Sequence, residues 1–288
     1  MNDTARKSIL ITGCSSGIGY VAAHTLQSRG WQVIASARDA ADVERLKAEG
    51  LAAVQLDLAS PDSITMALDW ILKHTNGKLD ALFNNGAFAV PGAVEDLSRS
   101  ALAYQLDAGL LGWHDLTVRL LPIMRLQGHG RIVNNSSVLG LAAMRYRGAY
   151  CANKFALEGL SDALRLELRG SGIHVSLIEP GPIVSRFRDN AFVNFKRWIN
   201  TSGSLHHMQY LNMVQRLQSN KRQPFTLEPD AVVKALIHAI ESPRPRARYY
   251  VTKATWLVAM AKRLLPTTWM DTFVVKLAER ESQRFEKP

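Results

Sequence analysis

Short apolar runs alternate with longer amphipathic stretches along most of this chain. Short, strongly apolar runs are typical of strands buried on both faces, whereas apolar positions three or four residues apart are typical of helices. Alternating strands and helices form parallel sheets, so the pattern predicts an α/β fold with a doubly wound parallel sheet and helices on both faces. The predicted strands cover residues 8–12, 31–38, 52–58, 79–85, 130–137, 173–179 and 248–252.

Helical periodicity is predicted between these strands, and it is longest at residues 97–127. Pro122 lies inside that stretch and is expected to interrupt it, because proline removes a backbone donor. The other predicted helices cover residues 17–29, a stretch that begins at residue 60, residues 150–170 and residues 229–240.

The chain has 288 residues, of which 47% are hydrophobic, and it can therefore bury one sizeable core. We expect a single domain at 1–252 and a helical C-terminal extension at 253–288. Residues 184–226 lack strand character, and we predict that they form a lid over a binding site. Their larger apolar side chains either line that site or only pack the segment onto the core. These side chains are Phe187, Phe192, Phe195, Trp198, Met208, Tyr210 and Met213.

The net charge is +10, and the residues from 244 to 288 hold ten Lys or Arg against four Asp or Glu. A basic surface attracts nucleic acid, anionic lipid or anionic ligands. No nucleic-acid-binding motif is present, so nucleic acid is not an expected partner. The amphipathic pattern of the tail leaves two interpretations open. It either makes weak peripheral contact with a membrane or packs onto the domain or onto a subunit of a homo-oligomer.

No apolar stretch has the length of a signal peptide or a membrane span. Cys14 and Cys151 lie far apart and lack the paired spacing of a zinc site or a disulfide framework. These features predict a cytoplasmic protein without a bound metal, which is peripheral to a membrane if the tail binds lipid.

A glycine-rich turn, Gly13-Cys14-Ser15-Ser16-Gly17-Ile18-Gly19, follows the first predicted strand and leads into the first helix. Glycines allow the backbone to approach a pyrophosphate, and the helix N-terminus offers unpaired N–H groups to it. A strand, a glycine-rich turn and a helix in this order predict a Rossmann-like dinucleotide site.

The end of the second strand decides which dinucleotide is expected. It carries Arg38 and no carboxylate before it, so a 2′-phosphate is favoured and NADP(H) is the predicted cofactor. The alternative is that Arg38 is a solvated charge beside Asp39. Asp57, at the end of the third strand, is predicted to contact the adenine, and Asn84, at the end of the fourth, is predicted to approach the cofactor.

The stretch from residue 134 to residue 154 carries the candidate chemistry. Tyr150 and Lys154 are four residues apart, so a helix places them on one face, and a nearby ammonium lowers the pKa of a phenol. Ser137 ends the fifth predicted strand and is expected to reach the same pocket. The same spacing also occurs on solvated helix faces, so these residues alone do not decide the function.

Five motifs in order resemble the short-chain dehydrogenase/reductase family and span roughly residues 8 to 187. The extended C-terminus resembles the steroid, retinol and aldehyde reductase branch. The motifs are the TGxxxGxG element at 12–19, an NNAG-like element at 84–87, Ser137, the YxxxK signature from Tyr150 to Lys154, and the turn Pro180-Gly181.

The resemblance implies specific roles for these residues. Tyr150 is expected to transfer the proton, Ser137 to hydrogen-bond the substrate oxygen, and Lys154 to lower the tyrosine pKa and hold the nicotinamide ribose. The implied substrate is a small, mostly apolar aldehyde, ketone or sterol-like alcohol. A cofactor-binding redox sensor or scaffold with little turnover is the alternative. The residues expected to contact the cofactor are Gly13, Ser15, Ser16, Gly17, Ile18, Gly19, Arg38, Asp57, Asn84, Tyr150, Lys154, Pro180, Gly181, Ile183 and Ser185.

Two positions depart from the family pattern. Gly109 stands where the family has an asparagine that holds a water between the lysine and solvent, so the proton supply is in question. Asp107 is expected to point elsewhere on an unbroken helix and to be a poor substitute. Gly86-Ala87 reverses the usual Ala-Gly order, and the added methyl is expected to narrow the cofactor channel slightly.

Overall fold

The fold is described by a computed structural model that covers residues 6–286 except residues 220 and 223. Residues 1–5 of the predicted domain, residues 220 and 223 of the predicted lid and residues 287–288 of the predicted extension lie outside the described residues.

Seven parallel strands form one sheet in the order β3-β2-β1-β4-β5-β6-β7. Helices cover both faces of this sheet, which confirms the predicted doubly wound α/β fold. The observed strands are mostly shorter than the predicted runs, because the last residues of several runs belong to the loops that follow. The strands are β1 (Ser8–Ile11), β2 (Gln32–Ala37), β3 (Ala52–Gln55), β4 (Ala81–Asn84), β5 (Gly130–Asn135), β6 (Ile173–Glu179) and β7 (Arg248–Tyr250).

Eleven α-helices lie between and after these strands within the described part of the chain. Several begin at a capping side chain, as at Ser60, whose hydroxyl accepts the backbone N–H of Ser63 at 3.2 Å. The helices are α1 (Gly17–Ser28), α2 (Ala40–Ala48), α3 (Pro61–His74), α4 (Arg99–Leu106), α5 (Gly112–Gln127), α6 (Gly148–Glu167), α7 (Phe187–Trp198), α8 (His207–Gln218), α9 (Asp230–Glu241), α10 (Lys253–Leu264) and α11 (Thr267–Glu286).

The two faces of the sheet bury two separate hydrophobic clusters. Successive strand residues point to opposite faces, and β1 shows this directly. Ile9 and Ile11 pack with α1 and α9 on one face, whereas Leu10 packs with α3 and α5 on the other. A continuous apolar run is therefore needed in β1, as the sequence pattern indicated.

The long helix predicted at 97–127 is not one regular helix. A π-helix, Asp107–Leu111, separates α4 from α5, so the prediction of an unbroken helix around Asp107 is wrong. The predicted interruption at Pro122 is also wrong, because α5 continues through it to Gln127. The change in winding occurs instead around Gly109, which is buried.

The segment after β6 contains α7 and α8, which bury a third hydrophobic cluster together with residues around the end of β5 and the start of α6. Farther along, α10 contacts β7 and the short 3₁₀ turn Val138–Gly140, while α11 contacts α8. Across the described residues, no helix combines the length and the apolar character needed to span a bilayer.

Candidate active site

A cavity of about 550 Å³ opens at the carboxyl edge of the sheet. The strand order reverses between β1 and β4, and the crevice at such a reversal is where open parallel sheets bind their ligands. Its lining comes from the glycine-rich turn, the loops after β4, β5 and β6, the start of α6, and the segment around α7 and α8.

The glycine-rich turn is fixed by close backbone contacts. Gly13 has a φ of +72°, and a Cβ there would lie 2.5 Å from the Cα of Gly86. A Cβ on Gly19 would lie 2.3 Å from the carbonyl oxygen of Gly13. Neither position can carry a side chain without moving the backbone, so both glycines are needed for this turn.

Most of the predicted site residues meet at this cavity, while the others lie around it. Gly17 and Gly19 shape the turn behind the lining, and Arg38 and Asp57 lie just beyond the ends of β2 and β3. The predicted residues that line the cavity are Gly13, Ser15, Ser16, Ile18, Ser137, Tyr150, Lys154, Pro180, Gly181, Ile183 and Ser185.

Asn84 is not among the residues lining the cavity, contrary to the prediction. Its side chain is fully buried and donates to Asn134 Oδ1 at 2.9 Å and to Thr117 Oγ1 at 3.2 Å. Its amide therefore ties β4 to β5 and α5. The next residue, Asn85, lines the cavity, and its Oδ1 accepts from Asn135 Nδ2 at 2.9 Å.

Ser137, Tyr150 and Lys154 lie close together in the cavity wall, with Lys154 Nζ 5.6 Å from the centre of the Tyr150 ring. The Ser137 hydroxyl hydrogen-bonds the Tyr150 phenol, and it also accepts the backbone N–H of Leu139 at 3.1 Å. Lys154 Nζ donates to the carbonyl oxygen of Asn135 at 2.8 Å and lies 4.3 Å from the centre of the Trp113 ring. Asn135 and Trp113 were not predicted, because their role depends on the fold rather than on a motif.

Burial has the largest effect on the pKa values of both titratable groups. It raises the pKa of Tyr150 well above its ordinary value, and the hydrogen bond from Ser137 opposes this only in part. It lowers the pKa of Lys154 to about 7, while Glu158, one turn farther along α6, opposes that change. The expectation that Lys154 lowers the tyrosine pKa is therefore not met, because desolvation disfavours both charged forms.

The reversed Gly86-Ala87 pair has a structural reason. A Cβ on residue 86 would lie 3.2 Å from the backbone nitrogen of Gly13, so glycine suits the point where the two loops touch. Ala87 lines the cavity, and the narrowing of the cofactor channel by its methyl group stays a prediction. The carbonyl oxygen of Gly86 accepts from Trp113 Nε1 at 3.1 Å.

Several cations at the cavity were missed by the sequence analysis. Arg186 donates to the carbonyl oxygen of Ser15 at 3.4 Å, and Arg45 of α2 donates to the same oxygen at 2.8 Å. Two arginines in close succession, at residues 186 and 188, were the feature of the sequence that could have indicated these cations. Besides Lys154, the cations in the lining are Arg147, Arg186, Arg188, Arg216, Lys221 and Arg222.

The apolar side chains of the predicted lid mostly pack inward rather than line the cavity. Phe195, Tyr210 and Met213 are buried in the third cluster, and Phe187 packs edge-on against Tyr150 with the ring centres 5.4 Å apart. Met208 is 68% exposed, so its predicted place on the apolar face is wrong.

Both cysteines are free and buried, and burial raises the pKa of the Cys14 thiol to about 12. Within the part of the chain that the structure describes, no three His, Cys, Asp or Glu side chains form a group that could hold a metal ion.

Comparison with known proteins agrees with this architecture. The family model described as short chain dehydrogenase matches residues 7–194. The chain is 46% identical over 266 residues to the uncharacterized oxidoreductase YbbO of Escherichia coli (strain K12), covering 92% of this chain and 93% of that protein. It is 31% identical over 284 residues to retinol dehydrogenase 16 of Mus musculus, covering 93% and 86% of the two chains.

A solved structure of similar shape is a short chain dehydrogenase/reductase from Burkholderia phymatum in complex with NAD. It matches with a TM-score of 0.74 at 26% sequence identity, covering 92% of this chain and 94% of that one. The motifs, the sheet and these similarities lead to one assignment. The chain belongs to the short-chain dehydrogenase/reductase family of oxidoreductases, in the branch that includes retinol and 17-beta-hydroxysteroid dehydrogenases.

Proposed function

We propose that this protein is an NADP(H)-dependent oxidoreductase that interconverts an alcohol and an aldehyde or ketone. One observation carries the proposal: Ser137, Tyr150 and Lys154 share the wall of the cavity that the glycine-rich turn also lines. The chemistry at that wall is acid–base chemistry, which suits proton transfer to a carbonyl oxygen.

The fit of a dinucleotide rests on the cavity lining. Gly13, Ser15, Ser16 and Ile18 of the glycine-rich turn line the same cavity as Lys154. NADPH, when bound there, would supply the hydride that the protein itself lacks. A Rossmann-type glycine turn and a buried lysine in the wall of one cavity fit a phosphate-bearing ligand whose sugar would lie near Lys154.

In the reduction direction, Tyr150 donates its proton to the substrate oxygen, and Ser137 hydrogen-bonds the same oxygen. The raised pKa of Tyr150 keeps the phenol protonated at neutral pH, which is the form that an acid catalyst needs. Asn135 and Trp113 hold the Lys154 side chain in place, and its Nζ lies 5.6 Å from the centre of the Tyr150 ring. There it would hydrogen-bond the nicotinamide ribose of a bound dinucleotide. In the oxidation direction Tyr150 acts as the base.

The preference for NADP(H) rests on Arg38. It is exposed directly after β2, and the residues of β2 before it carry no carboxylate. A guanidinium at that point attracts a 2′-phosphate, whereas a carboxylate would repel it. The related structure that holds NAD supports a nicotinamide dinucleotide without deciding between the two forms.

The proposed substrate is a mostly apolar aldehyde, ketone or ring-containing alcohol. Val138, Leu139, Phe187 and Leu217 are among the apolar residues of the cavity wall. The similarity to a retinol dehydrogenase supports an apolar substrate of this kind. The segment around α7 and α8 is the proposed lid. Its cations near the glycine-rich turn, such as Arg186, would contact the phosphate groups of a bound dinucleotide.

The test is a panel of aldehydes, ketones, retinoids and sterols, assayed with NADPH and NADH side by side. Turnover with at least one apolar carbonyl, and a higher kcat/KM with NADPH, is the expected result. Tight NADPH binding without turnover on any substrate would support the alternative of a redox sensor or scaffold. Gly109, which stands where the family has an asparagine, is the observation that favours this alternative.

A further inference from the structure

Gly109 leaves a space that the side chain of Asn153 fills. A Cβ on residue 109 would lie 2.4 Å from Asn153 Nδ2 and 3.1 Å from Asn153 Oδ1. Non-bonded atoms do not approach that closely, so a side chain at 109 and the Asn153 amide compete for one volume. The glycine in the π-helix and the asparagine in α6 are therefore complementary.

The Asn153 amide also makes the bond that the π-helix needs. Asn153 is 1% exposed, and its Nδ2 donates to the carbonyl oxygen of Gln105 at 2.9 Å. In a π-helix the hydrogen bonds span five residues, as the bond from Gly112 N–H to Asp107 C=O does. A carbonyl at the entrance of such a segment loses its α-helical partner, and Asn153 supplies a replacement donor.

The other end of the same amide is unsatisfied. Asn153 Oδ1 is buried and has no hydrogen-bond partner among the described residues. Buried side-chain acceptors nearly always have a partner, and ordered water is a common one in polar sites. Lys154 is the next residue, and its ammonium has three donors, one of which is directed at Asn135.

We propose that Asn153 supplies, from α6, the amide that residue 109 supplies in the family. Asn153 is then a positioning residue, which holds the π-helix against α6 and binds a water that connects Lys154 with solvent. This inference rests on the proposed function, because it concerns proton supply. Each reduction removes one proton from Tyr150, and one proton returns from solvent through that water and Lys154, so the enzyme recovers its starting protonation state.

The test is to move the amide back to the position where the family has it. Asn153→Ala and Gly109→Asn are expected to lower kcat about tenfold each, a small part of the effect typical of general acid–base catalysis. The first loses the amide, and the second introduces a clash with it. The double variant Gly109→Asn/Asn153→Ala is expected to regain most of the loss. A double variant no faster than the slower single variant would overturn the proposal.

A second measurement separates positioning from simple packing. We expect the pH at which NADPH binding is half lost, followed by NADPH fluorescence, to fall in Asn153→Ala because Lys154 loses a partner that stabilises its ammonium. Asn153→Leu, which leaves no cavity, should show the same fall, and the double variant should reverse it. An unchanged midpoint in both Asn153 variants would contradict the inference.

The matched control is Gln127→Ala. Gln127 also donates its amide to a backbone carbonyl, that of Leu79 at 3.1 Å, but it lies at the end of α5 away from the cavity. This variant should lower the melting temperature without moving the pH midpoint. A wild-type protein that binds NADPH but reduces no carbonyl would refute the proposed function, and the binding midpoint would still decide the role of Asn153.

Discussion

Two regions of the molecule are stabilised by different kinds of contact. One is the carboxyl edge of β1 to β5, and the other is the segment after β6 that covers this edge. At the edge, backbone meets backbone: the N–H of Thr12 donates to the carbonyl oxygen of Phe83 at 3.1 Å, and the N–H of Cys14 donates to that of Ser36 at 2.8 Å. In the covering segment, side chains make the contacts. Tyr210 donates to Asp96 and accepts the N–H of Ala93 at 3.0 Å.

This difference determines which of the two regions tolerates amino-acid substitutions. A backbone contact as close as that at Gly13, where a Cβ would lie 2.5 Å from the Cα of Gly86, excludes every side chain at residue 13. Contacts between side chains can be replaced by others of similar size while the segment keeps its course. The carboxyl edge therefore keeps one backbone geometry for the reaction. Substitutions in the covering segment are the ones that can change substrate specificity.

The largest effect is expected at the reacting phenol. Tyr150→Phe removes the proposed acid and should lower kcat by about 10²–10⁴-fold, as is typical of general acid–base catalysis. NADPH binding, measured by fluorescence titration, should remain close to that of the wild type. Wild-type turnover in this variant would show that the proton comes from another group.

A methyl group added to the glycine-rich turn tests whether the backbone contacts at the carboxyl edge exclude side chains. Gly19→Ala places a carbon 2.3 Å from a backbone oxygen, so it should lower the free energy of unfolding by about 1–3 kcal/mol and weaken NADPH binding. Urea denaturation measures the first effect. Gly159→Ala in α6 is the control, because its Cβ would meet nothing within 4 Å and should not be destabilising. Equal stability of the two variants would contradict the tight fit.

The buried lysine should make stability depend on pH in a defined direction. The pKa of Lys154 falls from 10.5 to about 7 on folding, so the unfolded chain binds more protons between these values. The wild type, without cofactor, should therefore gain stability relative to Lys154→Met as the pH rises from about 7 to about 10. Urea denaturation of both proteins at several pH values checks this. A difference that stays constant would show that Lys154 is not desolvated.

A smaller and more local effect is expected in the covering segment. Tyr210→Phe leaves the Ala93 N–H without its acceptor, which should cost about 1–3 kcal/mol of stability. The KM for the carbonyl should rise, while NADPH affinity should stay the same. Tyr104→Phe is the control, because that hydroxyl has no hydrogen-bond partner in the described part of the chain. A loss of NADPH affinity in Tyr210→Phe would mean that the two regions are not independent.

The smallest effect is expected at the C-terminal helices. Trp256 and Trp269 are 54% and 67% exposed, and Lys262 and Arg263 lie between them in the chain. We expect weak pelleting with anionic vesicles that Trp256→Ser/Trp269→Ser reduces and that high salt screens. Neutral vesicles are the control. Equal pelleting of both proteins would favour packing onto a second subunit, which sedimentation would detect.

Most of the sheet could be predicted because central strands such as β1, β2 and β4 are buried on both faces and therefore leave short, strongly apolar runs in the sequence. The glycine-rich turn was equally clear, since three glycines at fixed spacing have a backbone explanation. Strand ends were less certain, and the choice of Asn84 over Asn85 shows why this matters. Alternate residues point to opposite sides, so an error of one position exchanges a residue lining the cavity for a buried one.

Other features depend on contacts between segments distant in the chain. Asn153 is hydrogen-bonded to Gln105, which lies 48 positions earlier in the chain. The sequence around neither residue indicates the π-helix. The pKa shifts of Tyr150 and Lys154 follow from burial, which the YxxxK spacing alone cannot give. The exposure of Met208 likewise depends on how α8 is rotated against the core.

Trp113 gives this protein a built-in optical reporter. Its indole is 1% exposed, hydrogen-bonded to Gly86, and 4.3 Å from the ammonium nitrogen of Lys154. Emission from so sheltered an indole lies at short wavelengths, and a positive charge at that distance perturbs it. In a variant that keeps Trp113 as its one tryptophan of the six in the chain, titration of Lys154 should therefore change the emission wavelength and intensity, without any substrate or label.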